Sequence, residues 1–579
     1  MSSPAIRYRV SMPQPATHLL MVEMQVDGAG NNIELRLPVW TPGSYMVREF
    51  ARHVQGFQAK GADGRPLAWK KTRKDTWLVD STGADRIIVG FEVYANDLTV
   101  RTSHLDGTHA FFNAANLLPY VEGRTREPLR LYVDAPDGWT VETGLRRDES
   151  PGEAFIAVDY DELVDSPVHA GPDPVLEFEA CGVPHRIATW GRSNLDADRL
   201  VADTKRIVET QAELFGGLPY ESYVFILMTT DGARGGLEHR NSSALMLPRF
   251  NFRPGRTYER ALQLISHEFF HTWNVKRIHP IWSDRAFDYS TENYTRLLWA
   301  MEGITDYYTS LMLRRAGLIT PERYVEILAD QMRDLQETPG RNVQSLEESS
   351  FDAWIKYYRP DEHSSNSSIS YYLKGSLVTL LLDLEMRGRT QGKRSLDDLM
   401  RLLWLRYGQP DQGVPEDAYE RLVEVLTGTK WTEFFDRYVR GREELDYRSA
   451  LRAVGIELDE QADSSVPDVW LGMRTRSEGG RIRVTSIASD GPAWGLDLSA
   501  GDELLALDGV RLDEASLSDR LRDYHPGDTV WVTGFHGDQL IEVAIILAAR
   551  PPRIALRKSK NPTVQQRSLY ESWMGAPWE

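Results

Sequence analysis

Cysteine is almost missing from this chain: 579 residues contain one, Cys181. A lone thiol excludes an intrachain disulfide, and it excludes every zinc site built from several thiolates. Any metal here must be held by histidines and carboxylates. Clustered lysine and arginine are missing too, and the formal net charge is −18. Phosphate binding rests on such clusters, so neither nucleic acid nor an anionic membrane is expected as a partner. Apolar runs such as Leu377 to Leu382 end at charges well short of a membrane span. The N-terminus, Met1-Ser-Ser-Pro-Ala-Ile-Arg-Tyr-Arg9, lacks the apolar core of a secretory signal. The expectation is a soluble, cytoplasmic protein, or a periplasmic or secreted one if the N-terminus is already processed. Core-forming residues are plentiful, with 41% apolar and 10% aromatic residues including 16 Trp. A chain of this length exceeds one hydrophobic core, and about three or four domains are expected.

To about residue 185 the pattern is of strands. Ile33 to Leu37 alternates with period two, and Arg86 to Tyr94 and Phe155 to Val158 are β-branched or aromatic runs bounded by Gly, Asp and Pro. This argues for a β-sandwich or a similar all-β domain. Pro38-Val-Trp-Thr-Pro-Gly-Ser-Tyr45 has too much Pro and Gly for a long strand; it reads as a surface turn, or else as a loop reaching toward another domain. Near residue 196 the period changes to helical. Asp196 to Phe215 puts Leu200, Thr204, Ile207, Val208, Gln211, Leu214 and Phe215 on one face, and Gly216-Gly217 ends it. Tyr223 to Met228 reads as a buried strand, and Ser243 to Leu247 as another, with Gly235-Gly236-Leu237-Glu238-His239 between them.

Ile265-Ser-His-Glu-Phe-Phe-His-Thr-Trp273 carries the chemistry. Residues four apart share a helix face, so His267 and His271 can offer two imidazole nitrogens to one metal ion, while Glu268 can reach a metal-bound water as a general base. The helix is expected from about Arg256 to Val275, with Leu262, Leu264, Ile265, Phe269 and Phe270 giving it a dry setting. A metzincin would need a histidine at 277, where Arg277 stands. A glutamate on a following helix is the other common third ligand. Thr295 to Leu313 reads as that helix and presents Glu302 inside an apolar stretch, which favours it over Glu292 in the polar lead-in. Asp306, four residues on, shares a face with Glu302 and could accept a hydrogen bond from a ligand histidine's second nitrogen; an exposed helix carboxylate is the plain alternative.

From about 320 to 455 the chain reads as helices, and Tyr371-Tyr372-Leu-Lys374-Gly375 stands at the entrance of one. Neighbouring tyrosines are usually packing residues, but a phenol beside a zinc ion can donate to an oxyanion. Residues 466 to 550 return to short strands and turns. Leu471-Gly472-Met473, Gly491-Pro-Ala-Trp-Gly and Gly501 to Gly509 resemble a PDZ domain of the bacterial protease-associated kind, with Leu471, Gly472 and Met473 as the loop whose amides would capture a peptide carboxylate. The tail, Pro551 to Glu579, is basic and then aromatic, and is expected to pack back on the body.

His267-Glu268-Phe-Phe-His271, Trp299-Ala-Met-Glu302-Gly303 and Tyr372-Leu-Lys374-Gly375 together resemble the gluzincin aminopeptidases, whose type family is aminopeptidase N. The long spacing from His271 to Glu302, the Pro38 to Tyr45 segment and the PDZ-like module are similar to the glycyl aminopeptidase family in particular. The resemblance implies a multidomain α+β chain: an N-terminal all-β, sandwich-like domain over 1–185, a thermolysin-like catalytic domain of mixed α/β and helical parts over 186–460, a PDZ domain over 466–550 and a packed tail over 551–579. It implies one Zn2+ held by His267, His271 and Glu302, Glu268 acting on the water, and Tyr372 stabilising the intermediate. Glu238, after Gly235 and Gly236, would bind the free α-amino group of a peptide, and the removed residue would be Gly or Ala. Two departures stand out. His239 replaces the usual asparagine, and Tyr371 adjoins Tyr372, so either phenol could face the zinc. The competing functions are a zinc endopeptidase that recruits substrate through its PDZ domain, and a PDZ scaffold with a vestigial metal site. Oligomeric state and the PDZ ligand are not legible.

Overall fold

The computed structural model describes residues 4–148, 154–282, 287–461 and 465–579; the first three residues of the N-terminal segment read above lie outside them. The chain forms two compact units. The first comprises Met1–Thr295, Tyr308–Leu318 and Met400–Glu416, the second Arg296–Tyr307, Ile319–Leu399 and Asp417–Glu579.

The first unit begins with β structure. Arg86–Tyr94 is a strand whose buried and open residues alternate along its length, and it lies between Leu19–Asp27 and Val54–Gly61 in a seven-stranded sheet. Asn32–Arg36 and Thr76–Asp80 pair in a separate four-stranded sheet. Val22, Val89, Leu35, Trp77 and Val79 belong to one apolar core, as period-two strands with a single dry face require. A five-stranded sheet follows in the order Val175–Ala180, Val183–Trp190, Tyr223–Thr230, Ser242–Pro248, Gly235–Glu238. Its three inner strands run parallel, and Gly235–Glu238 lies antiparallel at the edge. Every residue of Tyr223–Thr230 is buried, the mark of a strand covered on both faces. The domain boundary expected near 185 falls inside the Val183–Trp190 strand, which belongs to this mixed sheet. Alternation identifies a strand but not the sheet it joins.

The Ala197–Phe215 helix starts where the Asp196 side chain accepts from the Arg199 amide at 3.1 Å, and ends at Gly216 with φ +83°. Its buried Gln211 donates to both the carbonyl and the hydroxyl of Ser266, each at 2.9 Å, which fixes the register of the Arg256–Phe270 helix against it. That second helix stops five residues short of the expected Val275. His271 is its C-cap, and Val275 takes φ +101°. No glycine or proline signals this stop. Buried cations make it instead: the Arg277 guanidinium donates to the carbonyls of Thr272, Arg240 and Pro219, so the turn after His271 is held by tertiary contacts.

The second unit is largely helical. Where Leu298–Arg315 meets Leu373–Arg389, a Cβ on Gly303 would lie 2.6 Å from the Gly375 Cα, and one on Gly375 would lie 2.9 Å from the Trp299 carbonyl oxygen. Two glycines therefore let the helix backbones touch. Beneath them Asp383 accepts from the Tyr307 hydroxyl at 2.6 Å and from Arg387 at 3.0 Å, and Trp573 of the tail helix Val564–Met574 donates to the Tyr307 oxygen at 2.9 Å. Met473–Glu478 is the edge strand of the C-terminal sheet. The side chain of Asn366 clamps that module, donating to the Ile487 carbonyl at 2.7 Å and accepting from the Ser489 amide at 2.8 Å. No helix among the described residues is long and apolar enough to cross a membrane. Because the helix contact has no room for a methyl group, Gly303→Ala should destabilise the protein by about 2 kcal/mol. A denaturant midpoint equal to the parent's would refute that reading of the contact.

Candidate active site

The Arg256–Phe270 helix places His267 and His271 one turn apart with their Nε2 atoms 3.1 Å from each other. Two nitrogens bound to tetrahedral zinc at about 2.05 Å lie about 3.3 Å apart, so the pair fits that ion closely. The remaining ring nitrogens are held. His271 Nδ1 donates to the Asn274 carbonyl at 2.7 Å, which leaves Nε2 as the lone-pair atom, and His267 Nδ1 meets the Thr309 hydroxyl at 3.1 Å. Asp306 was one candidate for this supporting role, a plain helix carboxylate being the alternative; Thr309, one turn further along the same helix, stands at His267, and the turn carbonyl of Asn274 stands at His271. Sequence spacing had no means of finding a backbone oxygen. Glu302 lies seven residues before Thr309, hence two turns away on the same helix face.

The Gly235–Glu238 edge strand lies against the Glu268 carboxylate. A Cβ on Gly236 would overlap Glu268, at 1.8 Å from its Oε1, so only glycine permits this approach. Metal-ligating atoms of Glu238, Glu268 and His271, all buried, lie within 4.8 Å of one another. Glu238 Oε1 is buried with no hydrogen-bond partner among the protein groups. Of the two readings of the Pro38 to Tyr45 segment, a surface turn or a loop reaching toward another domain, the structure favours the second: Trp40 and Tyr45 are buried, and Gly43 rests on Glu238. Its proline and glycine were visible in the sequence; its destination was not.

A residue that no motif singles out, Asp165, ties these parts together. Asp165 receives Lys276 Nζ at 2.5 Å, has His239 Nδ1 at 3.4 Å, and accepts from the Arg240 amide at 2.7 Å. Burial alone would raise its carboxyl, but Lys276 and His239 outweigh burial and hold it well below the usual carboxylate range. His239, at the position where asparagine was expected, is thus an anchor for the strand that carries Glu238.

In the second unit Tyr371 is fully buried and Tyr372 partly open at the start of the Leu373–Arg389 helix. Their rings stack 4.8 Å apart, and Tyr357 stacks on Tyr372 at 5.4 Å. Burial first, and then the negative field of Glu302, push the Tyr372 phenol well above its ordinary value, so it stays protonated and able to donate. Burial lowers the neighbouring Lys374 to about 8. At the C-terminal module, Gly472 takes φ +77° and its carbonyl accepts from the Ala488 amide at 2.8 Å, while Leu471 accepts from Ala493 at 3.1 Å. Gly472 and Met473 line a cavity of about 810 Å³ beside Arg474 and Trp470.

Three family models match the chain: the Peptidase M61 N-terminal domain over residues 7–172, the M61 glycyl aminopeptidase over 260–378 and a PDZ domain over 469–547. A crystal structure of an aminopeptidase N family protein from Idiomarina loihiensis aligns with TM-score 0.93 at 32% identity, covering 98% of this chain and all 100% of that one. An M1 zinc metallopeptidase from Deinococcus radiodurans aligns with TM-score 0.48 at 16% identity, covering 76% of this chain and 95% of its own. Native yeast LTA4 hydrolase aligns with TM-score 0.46 at 12% identity, covering 78% and 70%. No curated protein sequence matches.

Because the folded Asp165 carboxyl titrates below its unfolded value, its stabilisation is fully present above about pH 4 and is lost as the pH falls through the lower, folded value. Asp165→Asn leaves Lys276 buried without its counter-charge and should cost about 3 kcal/mol at neutral pH. Equal thermal stability of parent and variant at pH 7 would contradict this.

Proposed function

We propose that this chain, which belongs to the M61 glycyl aminopeptidase family and is a zinc metallo-aminopeptidase, removes a small N-terminal residue, Gly or Ala, from peptides with a free α-amino group. One observation carries the reading: two carboxylates, Glu238 and Glu268, converge on His271 from separate elements. One suits the acid–base step and the other an ammonium. His267, His271 and Glu302 would hold the zinc. When bound, the ion supplies Lewis acidity, polarising the scissile carbonyl and bringing a water's pKa toward neutrality.

The remaining steps belong to side chains of this chain. Glu268 takes the proton from the attacking water and delivers it to the leaving amine. Tyr372, kept protonated, donates to the oxygen that becomes negative as the carbonyl carbon turns tetrahedral. Tyr371 is buried behind it and supports its ring by stacking. Glu238 accepts the substrate's ammonium, and Gly236, next to Gly235 on the substrate-facing strand, lets that strand approach the base. The Leu471–Gly472–Met473 loop, at one end of an edge strand, would take a peptide C-terminus by strand addition.

The test pairs zinc analysis with a panel of aminoacyl chromogenic substrates under chelator control. Free-amine glycyl and alanyl substrates should be cut and N-acetylated ones spared; acetylated peptides cut at the same rate would make this an endopeptidase. Tyr372→Phe removes one oxyanion donor and should lower kcat by about a hundredfold with little change in KM. Unchanged turnover would take the role away from Tyr372.

A further inference from the structure

The proline- and glycine-rich loop of the N-terminal β domain has no part in the chemistry above, yet it ends on the exopeptidase carboxylate. Gly43 takes φ +84°, and a Cβ there would lie 2.6 Å from Glu238 Oε1, 2.9 Å from its Cδ and 2.7 Å from Leu237 Cδ1. Nothing larger than a hydrogen fits between the loop and the carboxylate. The loop itself is rigidly held. The Trp40 indole donates to the Asp288 carbonyl at 2.9 Å, the Val39 amide donates to the Tyr289 carbonyl at 2.9 Å, and the Arg48 and Ser44 amides close it by donating to the Val39 and Thr41 carbonyls at 2.8 and 3.1 Å. The Trp40 ring packs edge-on against Phe287 at 5.5 Å. On either side of Gly43, the hydroxyl oxygens of Thr41 and Ser44 are buried with no hydrogen-bond partner among the protein groups, as is Glu238 Oε1. A backbone wall set against a buried carboxylate oxygen that has no hydrogen-bond partner among the described residues fits a site whose counter-charge is a small bound cation.

We propose that Gly43 is a positioning residue for substrate binding: the Thr41–Ser44 loop forms the rear wall of the subsite for the peptide's N-terminal ammonium, and Gly43 sets the position of the Glu238 carboxylate there. This rests on the aminopeptidase reading of Glu238 and deepens it. The loop acts on the ammonium through Glu238, so its removal should weaken recognition of the free amine and leave the bond-breaking machinery intact. A residue that served only to stabilise the fold would lower the yield or melting temperature without favouring KM over kcat.

The experiment uses the full-length, zinc-loaded enzyme with alanyl p-nitroanilide. Gly43→Ala should raise KM about tenfold, the effect of weakening one charge-assisted contact. Its kcat should stay within about threefold and its zinc content should equal the parent's. In a Glu238→Ala background, Gly43→Ala should add less than about twofold to KM, because the group it displaces is gone. An unchanged KM for Gly43→Ala, or an undiminished effect in the Glu238→Ala background, overturns the proposal. If Gly43→Ala does not fold, the double variant decides: recovery of a folded protein once the carboxylate is removed supports the contact, and failure to recover it overturns it. The underlying reading fails separately, if Glu238→Ala alone leaves KM for the free-amine substrate unchanged.

Discussion

The buried Asp165 carboxylate is the constraint on which the first unit's catalytic geometry depends. It joins Lys276, five residues after His271, to His239 and Arg240, directly after Glu238. Separate segments that carry chemistry are therefore referred to one anionic point. A buried ion pair contributes little net stability, because desolvation offsets most of the attraction. Its use here is positional. Side chains on a strand alternate faces, so a slip of one residue in Gly235–Glu238 would turn Glu238 away from Glu268 and His271 and present Leu237 in its place. A charge that must meet its partners makes such a slip costly, and Asp165 sets the register that hydrophobic packing of a four-residue edge strand would set only weakly.

Missing side chains do comparable work at three places. Gly236 lets an edge strand touch Glu268, Gly43 lets a loop touch Glu238, and Gly303 with Gly375 lets two helices touch beside Glu302 and Tyr372. In each case a carboxylate of the proposed site has backbone against it or close by. Backbone is stiffer than any side chain, and a carboxylate backed by it has few alternative positions. This is the local form of preorganisation: the groups that must meet charge in the reaction are already placed before the substrate arrives.

These contacts also explain which parts of the protein were legible in its sequence. Local signals were read well. Asp196 and Gly216 bracket the Ala197–Phe215 helix, the Arg86–Tyr94 strand shows the expected alternation, and His267, Glu268 and His271 share a helix as their spacing required. Where the determining contact is distant in sequence, local pattern was silent. The helix expected to reach Val275 ends at Phe270 because Arg277 and Lys276 find buried acceptors elsewhere. Thr309 is 42 residues from His267, and neither its hydroxyl nor the Asn274 carbonyl carries a motif. The Pro38 to Tyr45 segment shows the same limit most plainly, since composition identified it as a loop and only tertiary structure gives it a target.

The electrostatics of the cluster then restrict what can bind there. Glu238 and Glu268 are like charges in a dry site, and their mutual repulsion is not screened as it would be in water. A cation on the histidine side relieves Glu268, since His267 and His271 turn their lone pairs that way. Glu238 lies on the strand side, with Gly43 hard against its carboxylate. On the proposed reading, its compensating charge is carried by a bound cation on the side of the carboxylate that the loop does not close. A peptide's α-ammonium has the right sign and size, and its distance from the scissile carbonyl is fixed by one residue of backbone. On the proposed role of Glu238, an internal peptide bond brings no charge to that point, so the carboxylate would favour the end of a chain over its middle.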